Sequence, residues 1–115
     1  MGDKAFIDTN VFVYLSSEDD PDKRQAAMDA LEAYDCVVST QVVNELCNVL
    51  LKKYGKSASE IKATIEAMEA VCNVALITVV TTDKALDIHE RYRYSFYDSL
   101  ILAAALESGC QYVIS

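Results

Sequence analysis

Four short strand-like segments alternate with helical patterns along the chain, and this alternation limits the fold more than any other feature. The segments are rich in Val, Ile or Tyr, and we predict strands at Lys4–Ile7, Cys36–Ser39, Val74–Val80 and Cys110–Ile114. Strands separated by helices pair in parallel through right-handed crossovers, with the helices on the faces of the sheet. The sequence therefore predicts an α/β fold around a central parallel sheet.

Capping residues mark the starts of the helices between these strands. Asp20 can cap a helix whose first residue is Pro21, and Ser57 and Glu60 have the spacing of a capping box. We predict helices after Asp8 through Tyr14, over Pro21–Tyr34, from Ser39-Thr40 to about Tyr54, from Ser57 to about Asn73, from Thr81 through about Tyr94, and from Ser95 to Gly109.

The chain has 115 residues, of which 52% are hydrophobic, and this suits one domain over residues 1–115. No apolar run is long enough for a membrane span and no secretory signal is visible, so we expect a cytoplasmic protein without a membrane partner. His89 is the sole histidine, which disfavours a Ser-His-Asp or Cys-His mechanism and a zinc site. The net charge of −8 argues against nucleic acid when taken alone, but it equally suits carboxylates gathered around a divalent cation.

Three acids stand out by their positions. Asp8 ends the first strand, where ligands collect in open parallel sheets, although an acid there can also simply cap the next helix. Asp98 begins an apolar helix and has Ile101 and Leu102, not a basic residue, three and four positions later. Glu45 belongs to a polar stripe on its helix, for which exposure to solvent is the ordinary explanation.

These acids lie in three segments that together resemble the PIN-domain nucleases, and most closely the VapC toxins of toxin–antitoxin pairs. The segments are F-I-D-T-N-V at residues 6–11, S-T-Q-V-V-N-E-L at 39–46 and Y-D-S-L-I-L-A-A-A at 97–105. The resemblance implies a three-layer α/β/α fold and a metal-dependent endoribonuclease. It also implies that Asp8, Glu45 and Asp98 are catalytic, metal-binding acids, supported by Thr9, Asn10 and Ser39.

Carboxylates suit this chemistry because Mg²⁺ and Mn²⁺ prefer hard oxygen ligands, and a bound ion can activate water without a histidine base. Two negative charges about 4 Å apart repel by about 4 kcal/mol at an effective dielectric of about 20. Clustered acids therefore bind a cation or take up a proton, and we expect a raised carboxylate pKa or weak folding without metal.

The resemblance also implies binding partners, and the sequence departs from the family pattern at one place. We expect an RNA substrate, a cognate antitoxin and a homodimer, with RNA contacts from Arg91, Arg93, Lys52 and Lys53, joined by Lys56. Lysines at a helix end can equally be solvated residues that favour the helix dipole. The family carries another acid after the strand that reads Q-Y-V-I-S here, so we expect a further metal ligand beyond Ser115 and a domain that is incomplete at its C-terminal end.

Two other function classes compete with the ribonuclease. A catalytically inactive PIN-like module that binds RNA or protein is favoured by the position of Ser115 and disfavoured by the three acids together. Phosphoryl transfer on an aspartate is disfavoured because phosphatases of that kind need D-x-D after the first strand, where this chain has D-T-N.

Overall fold

The computed structural model describes residues 2–115, which form four strands and six helices. In chain order these are β1 Lys4–Ile7, α1 Thr9–Ser16, α2 Pro21–Ala33, β2 Asp35–Ser39, α3 Thr40–Lys52, α4 Ala58–Val71, β3 Cys72–Ala75, α5 Val79–Tyr92, α6 Phe96–Glu107 and β4 Tyr112–Ile114.

All four strands belong to one parallel sheet in the order β3-β2-β1-β4. The centre of β1 is paired on both sides, with Phe6 beside Val37 of β2 and beside Val113 of β4. Because the strands are parallel, their carboxyl ends meet at one edge, and the chain leaves β1 at this edge through Asp8. The predicted parallel α/β fold is confirmed.

The core forms where helices pack on this sheet. Phe6 and Ile7 of β1 are fully buried, and α3 contributes Val42, Leu46 and Leu50, which are also buried. Their spacing of four residues puts these three side chains on one helix face and leaves the opposite face for polar residues. This burial fixes the orientation of α3, and Glu45, next to Leu46, lies half-buried at the edge of the buried face.

The predicted third strand, Val74–Val80, is wrong at both ends. The strand pairs from Cys72, opposite Cys36, to Ala75, opposite Ser39. Val79 and Val80 instead begin α5, because Thr78 forms a capping box with Thr81. The Thr78 hydroxyl accepts a hydrogen bond from the Thr81 amide at 3.3 Å, so Thr81 lies in the first turn of the helix and does not precede it.

Other predicted ends differ by one or two residues. The α4 helix ends at Val71 and not near Asn73, because the residues after it pair with β2. Arg93 adopts a left-handed conformation with φ of 62° and ends α5 at Tyr92. Asp20 and Ser57 cap their helices as predicted, and the box between Ser57 and Glu60 is complete. Within residues 2–115, none of the helices is both long and apolar enough to cross a membrane.

Candidate active site

Asp8 is fixed in place by the junction between β1 and α1. Its amide donates to the Ile114 carbonyl of β4 at 2.9 Å, and its carboxylate accepts a hydrogen bond from the Thr9 amide at 2.7 Å. Asp8 is therefore the N-cap of α1, which was the alternative explanation for an acid at the end of the first strand. Only one carboxylate oxygen takes part in this bond, so the other remains available to a ligand.

Glu45 is held by two neutral donors. Its Oε2 accepts a hydrogen bond from the Thr9 hydroxyl at 2.9 Å, and its Oε1 accepts one from the Gln41 side-chain amide at 2.9 Å. The side chain is half-buried, so the solvated stripe expected from the sequence does not describe it. The bond from Thr9 also joins α3 to the residue next to Asp8.

Asp98 lies in the first turn of α6, where the Ser95 hydroxyl accepts a hydrogen bond from its amide at 3.1 Å. The reciprocal bond from the Asp98 carboxylate to the Ser95 amide is not formed, so the capping box is only half made. Within residues 2–115 the Asp98 carboxylate has neither a hydrogen-bond donor nor a salt-bridge partner. It is exposed and free to bind a ligand.

These three acids line one cavity of about 370 Å³, although they come from three separate parts of the chain. The remaining lining residues of this acidic cavity are Thr9, Asn10, Asn48, Val49, Tyr97 and Ile101. None of them is basic, so the carboxylates are gathered without a countercharge from the cavity wall. The topology thus unites residues that are up to 90 positions apart in the sequence, from Asp8 to Asp98.

The electrostatics of the cavity raise the pKa of Asp8 above its usual value. Burial is the largest cause, the hydrogen bond from the Thr9 amide opposes it, and the charges of Glu45 and Asp98 add to the rise. A raised carboxylate pKa was expected for clustered acids and is confirmed for Asp8. The balance of causes differs from that expectation, because desolvation outweighs repulsion.

The donor set of the cavity suits a hard divalent cation. Carboxylate, hydroxyl and amide oxygens surround it, and Mg²⁺ needs only one or two direct carboxylates because it keeps several waters. Within residues 2–115, however, no three Asp, Glu, His or Cys side chains are close enough to form a ready-made metal site. Asp8 and Asp98 have free oxygens for direct contact, whereas both oxygens of Glu45 are already engaged.

Comparison with known proteins identifies the family. The family model described as PIN domain matches residues 5–115. This chain belongs to the PIN domain family. A search of curated protein sequences found no match.

Solved structures agree with this PIN fold. The VapC20 toxin of Mycobacterium tuberculosis, described as cleaving the sarcin-ricin loop, superposes with a TM-score of 0.77 at 21% identity, covering 95% of this chain and 86% of that one. A toxin–antitoxin complex from Klebsiella pneumoniae gives 0.76 at 25% identity, with 96% and 84% covered. VapBC2 from Rickettsia felis, bound to a DNA fragment from its promoter, gives 0.70 at 13% identity, with 96% and 86% covered. The three-layer PIN-like architecture is confirmed.

Several residues expected at the site of this PIN domain lie outside the acidic cavity. Ser39 is fully buried and caps α3 through a hydrogen bond from the Val42 amide, so it supports the helix that carries Glu45. Lys52 and Lys53 lie at the end of α3, and Lys56 lines a separate apolar cavity.

The two arginines, Arg91 and Arg93, are exposed at the end of α5, and Arg91 lies 5.4 Å from the centre of the Tyr92 ring. They precede α6 and Asp98 along the chain, but the acidic cavity is lined by neither of them. Their part in RNA binding stays a prediction.

Three residues of the site were not predicted. Gln41 was visible as the residue four positions before Glu45, a spacing at which amides and carboxylates hydrogen-bond along a helix. Asn48 follows on the same face. Tyr97 has no signal beyond its place next to Asp98, because its role depends on how α6 meets α3 in space.

Proposed function

We propose that this PIN domain is a Mg²⁺- or Mn²⁺-dependent endoribonuclease that hydrolyses RNA phosphodiester bonds and acts as the toxin of a VapBC-type pair. The observation that carries this proposal is the acidic cavity, where Asp8, Glu45 and Asp98 meet at the carboxyl edge of a parallel sheet in a PIN fold. Similarity to a VapC toxin described as cleaving the sarcin-ricin loop supports RNA as the substrate class.

The three acids have two different parts in this proposal. Asp8 and Asp98 have uncommitted oxygens and would hold the ion directly. Glu45 keeps two lone-pair positions after accepting its bonds from Thr9 and Gln41, and would orient water molecules around the ion. A bound divalent ion supplies an acidified water and charge stabilisation at the phosphate. Asn10 lines the same cavity and can donate hydrogen bonds to phosphate oxygens.

Cleavage of a labelled single-stranded RNA tests the activity. We compare the wild-type protein in Mg²⁺, Mn²⁺ and EDTA with an Asp98→Asn variant and with a matched Asp87→Asn control, which changes an exposed acid of α5 outside the acidic cavity. We expect metal-dependent cleavage that Asp98→Asn abolishes and Asp87→Asn retains. Cleavage that survives in EDTA or in Asp98→Asn would point to a contaminating ribonuclease.

The partners in this proposal are an antitoxin and a second copy of the chain. Two of the similar structures are described as toxin–antitoxin assemblies. The segment 76–80 exposes three large apolar side chains, Leu76, Val79 and Val80, at 72%, 86% and 62%, which suits a contact with a second copy. Growth arrest on bacterial expression of the wild-type chain, absent with Asp98→Asn, would support a toxin over a routine processing enzyme.

The alternative is an inactive PIN-like module that binds RNA or protein. The observation that favours it is that the acids are not close enough to form a ready-made metal site among residues 2–115. Titration with Mn²⁺ in a calorimeter separates the two functions. Saturable binding that Asp98→Asn removes supports the enzyme, whereas the same weak heat from both proteins supports the module.

A further inference from the structure

A second cavity of about 640 Å³ opens directly beside the acidic one, on the side of α3 and the loop after β3. We call it the amide groove, because Asn44 and Asn48 lie along it. The two cavities share three wall residues, Glu45, Asn48 and Tyr97. If the phosphate of a ligand lay in the acidic cavity, the group attached to that phosphate would therefore lie in the amide groove.

The free polar groups of the amide groove are side-chain amides. The Thr40 hydroxyl accepts a hydrogen bond from the Ile77 amide at 3.1 Å, and the side-chain nitrogen of Gln41 donates one to Glu45. Asn44 and Asn48 are exposed, stand one helical turn apart and have no side-chain hydrogen bond within residues 2–115. An amide offers a donor and an acceptor together, which matches the edge of a nucleobase.

Tyr97 supplies an aromatic surface between the two cavities. Its side chain is 63% exposed, although its ring already contacts Phe96 with centroids 5.5 Å apart. An exposed tyrosine at the mouth of a polar groove is the arrangement on which unpaired bases stack in proteins that bind single-stranded nucleic acid. A base in a duplex is already stacked and paired, so it cannot use this surface.

The charge of the chain favours base contacts over phosphate contacts. The net charge is −8 and none of residues 2–115 that line the two cavities is basic, so the walls of these cavities offer the RNA backbone little electrostatic attraction. Glu45 is the sole charged residue lining the amide groove, which would repel a phosphate placed there. A neutral, flat group with hydrogen-bonding edges is the part of RNA that fits.

We propose that the amide groove binds the unpaired nucleobase next to the cleaved phosphate, with the base stacked on Tyr97 and its edge bonded by Asn44 and Asn48. This inference rests on the proposed ribonuclease activity and deepens it. The groove is then the source of base preference at the cleavage site.

Binding of short RNA tests the stacking contact. In an Asp98→Asn background, which prevents cleavage, we compare Tyr97→Leu with Tyr97→Phe by fluorescence anisotropy in Mg²⁺, using an eight-nucleotide single strand, its duplex and a strand with an abasic nucleotide next to the cleavage position. We expect Tyr97→Leu to weaken single-strand binding about 5- to 100-fold and Tyr97→Phe to preserve it. The abasic strand should bind weakly to both variants with little difference between them.

Base preference tests the amides. With Asp98 intact, cleavage of an RNA pool with randomised unpaired positions should show a preference for one base beside the cut. Asn44→Ala should flatten this preference, and a control Gln25→Ala change on the exposed face of α2 should not. Asn44 lines the amide groove but not the acidic cavity. Its loss should therefore bring the cleavage rates of a preferred and a disfavoured RNA closer together.

Several results would overturn the inference. Equal binding by Tyr97→Leu and Tyr97→Phe, or equal binding of duplex and single strand, would show that no base stacks in the groove. A change in subunit association without a change in RNA affinity would make the groove a protein contact. In either case, metal-dependent cleavage by the wild type would leave the ribonuclease proposal standing. If the wild type cleaves no RNA and the Asp98→Asn protein binds none, both proposals fail together.

Discussion

Replacing Gln41 by Met tests whether the hydrogen bond to Glu45 serves the fold or the metal site. Loss of the donor at 2.9 Å from a half-buried carboxylate costs about 1–2 kcal/mol of unfolding free energy. The same change removes the Gln41 Oε1 atom, which is buried and has no hydrogen-bond partner among residues 2–115, and this returns about 1–2 kcal/mol. We therefore expect a net change within about 1 kcal/mol in urea unfolding without metal.

Metal binding should respond much more strongly. With Gln41 gone, the Thr9 hydroxyl alone holds Glu45, and its Oε1 is free to turn. Loss of a residue that orients a metal-site carboxylate typically lowers metal affinity about 10- to 100-fold. Calorimetric titration of Mn²⁺ into Gln41→Met should show this loss, and RNA cleavage should need correspondingly more metal.

The chain contains a matched control for this change. Gln25 donates to Asp29 at 2.9 Å with the same spacing of four residues, but on the exposed surface of α2. Gln25→Met should alter stability by no more than about 0.5 kcal/mol and leave Mn²⁺ affinity unchanged. Wild-type Mn²⁺ affinity in Gln41→Met, or the same loss in Gln25→Met, would refute a positioning role for Gln41.

Four other predictions follow from burial and charge. Because the pKa of Asp8 is raised in the folded protein, its contribution to stability is present below about pH 3.8 and is lost as pH rises through the folded pKa. Asp8→Asn should therefore stabilise the metal-free protein at neutral pH and lose this advantage in acid. Thermal unfolding in EDTA measures both effects. Burial raises the pKa of the Cys72 thiol to about 12, so mass spectrometry should find it unmodified by iodoacetamide at pH 8 until the protein unfolds. Val79→Asp should shift the proposed homodimer to monomer in sedimentation, because it charges the most exposed residue of the apolar segment 76–80. Ser99→Ala should not destabilise the fold in urea unfolding, because the buried hydroxyl has no hydrogen-bond partner within residues 2–115.

The sequence predicted well what depends on local pattern and chain order. The apolar run before Asp8 defined β1, and alternation with helices gave the parallel sheet. It failed at Val79 and Val80, where two β-branched residues extended an apparent strand past its end. The capping box between Thr78 and Thr81 decides that boundary, and its hydrogen bonds are a stronger local determinant than β propensity.

The site was predictable in part for the same reason. Asp8 follows a strand and Asp98 opens a buried helix, so topology alone brings both toward one edge of the sheet. Glu45 could be separated from a solvated stripe only through the family resemblance, because its bond from Thr9 joins residues 36 positions apart. The place of Tyr97 depends on the packing of α6 near α3, which no spacing in the sequence encodes.

The way Glu45 is held explains how a site can be ordered and still negative. A lysine or arginine would fix a half-buried carboxylate more strongly than a hydroxyl and an amide do, but it would also cancel the charge. Thr9 and Gln41 orient the carboxylate and leave its charge intact, the carboxylate of Asp98 has no basic partner within residues 2–115, and the raised pKa of Asp8 reflects the cost of its own charge in the cavity. Each of these features makes the metal-free state less favourable than it could be. In the proposed function a divalent cation would relieve all of these costs at once, and this relief would add to the binding free energy of the ion.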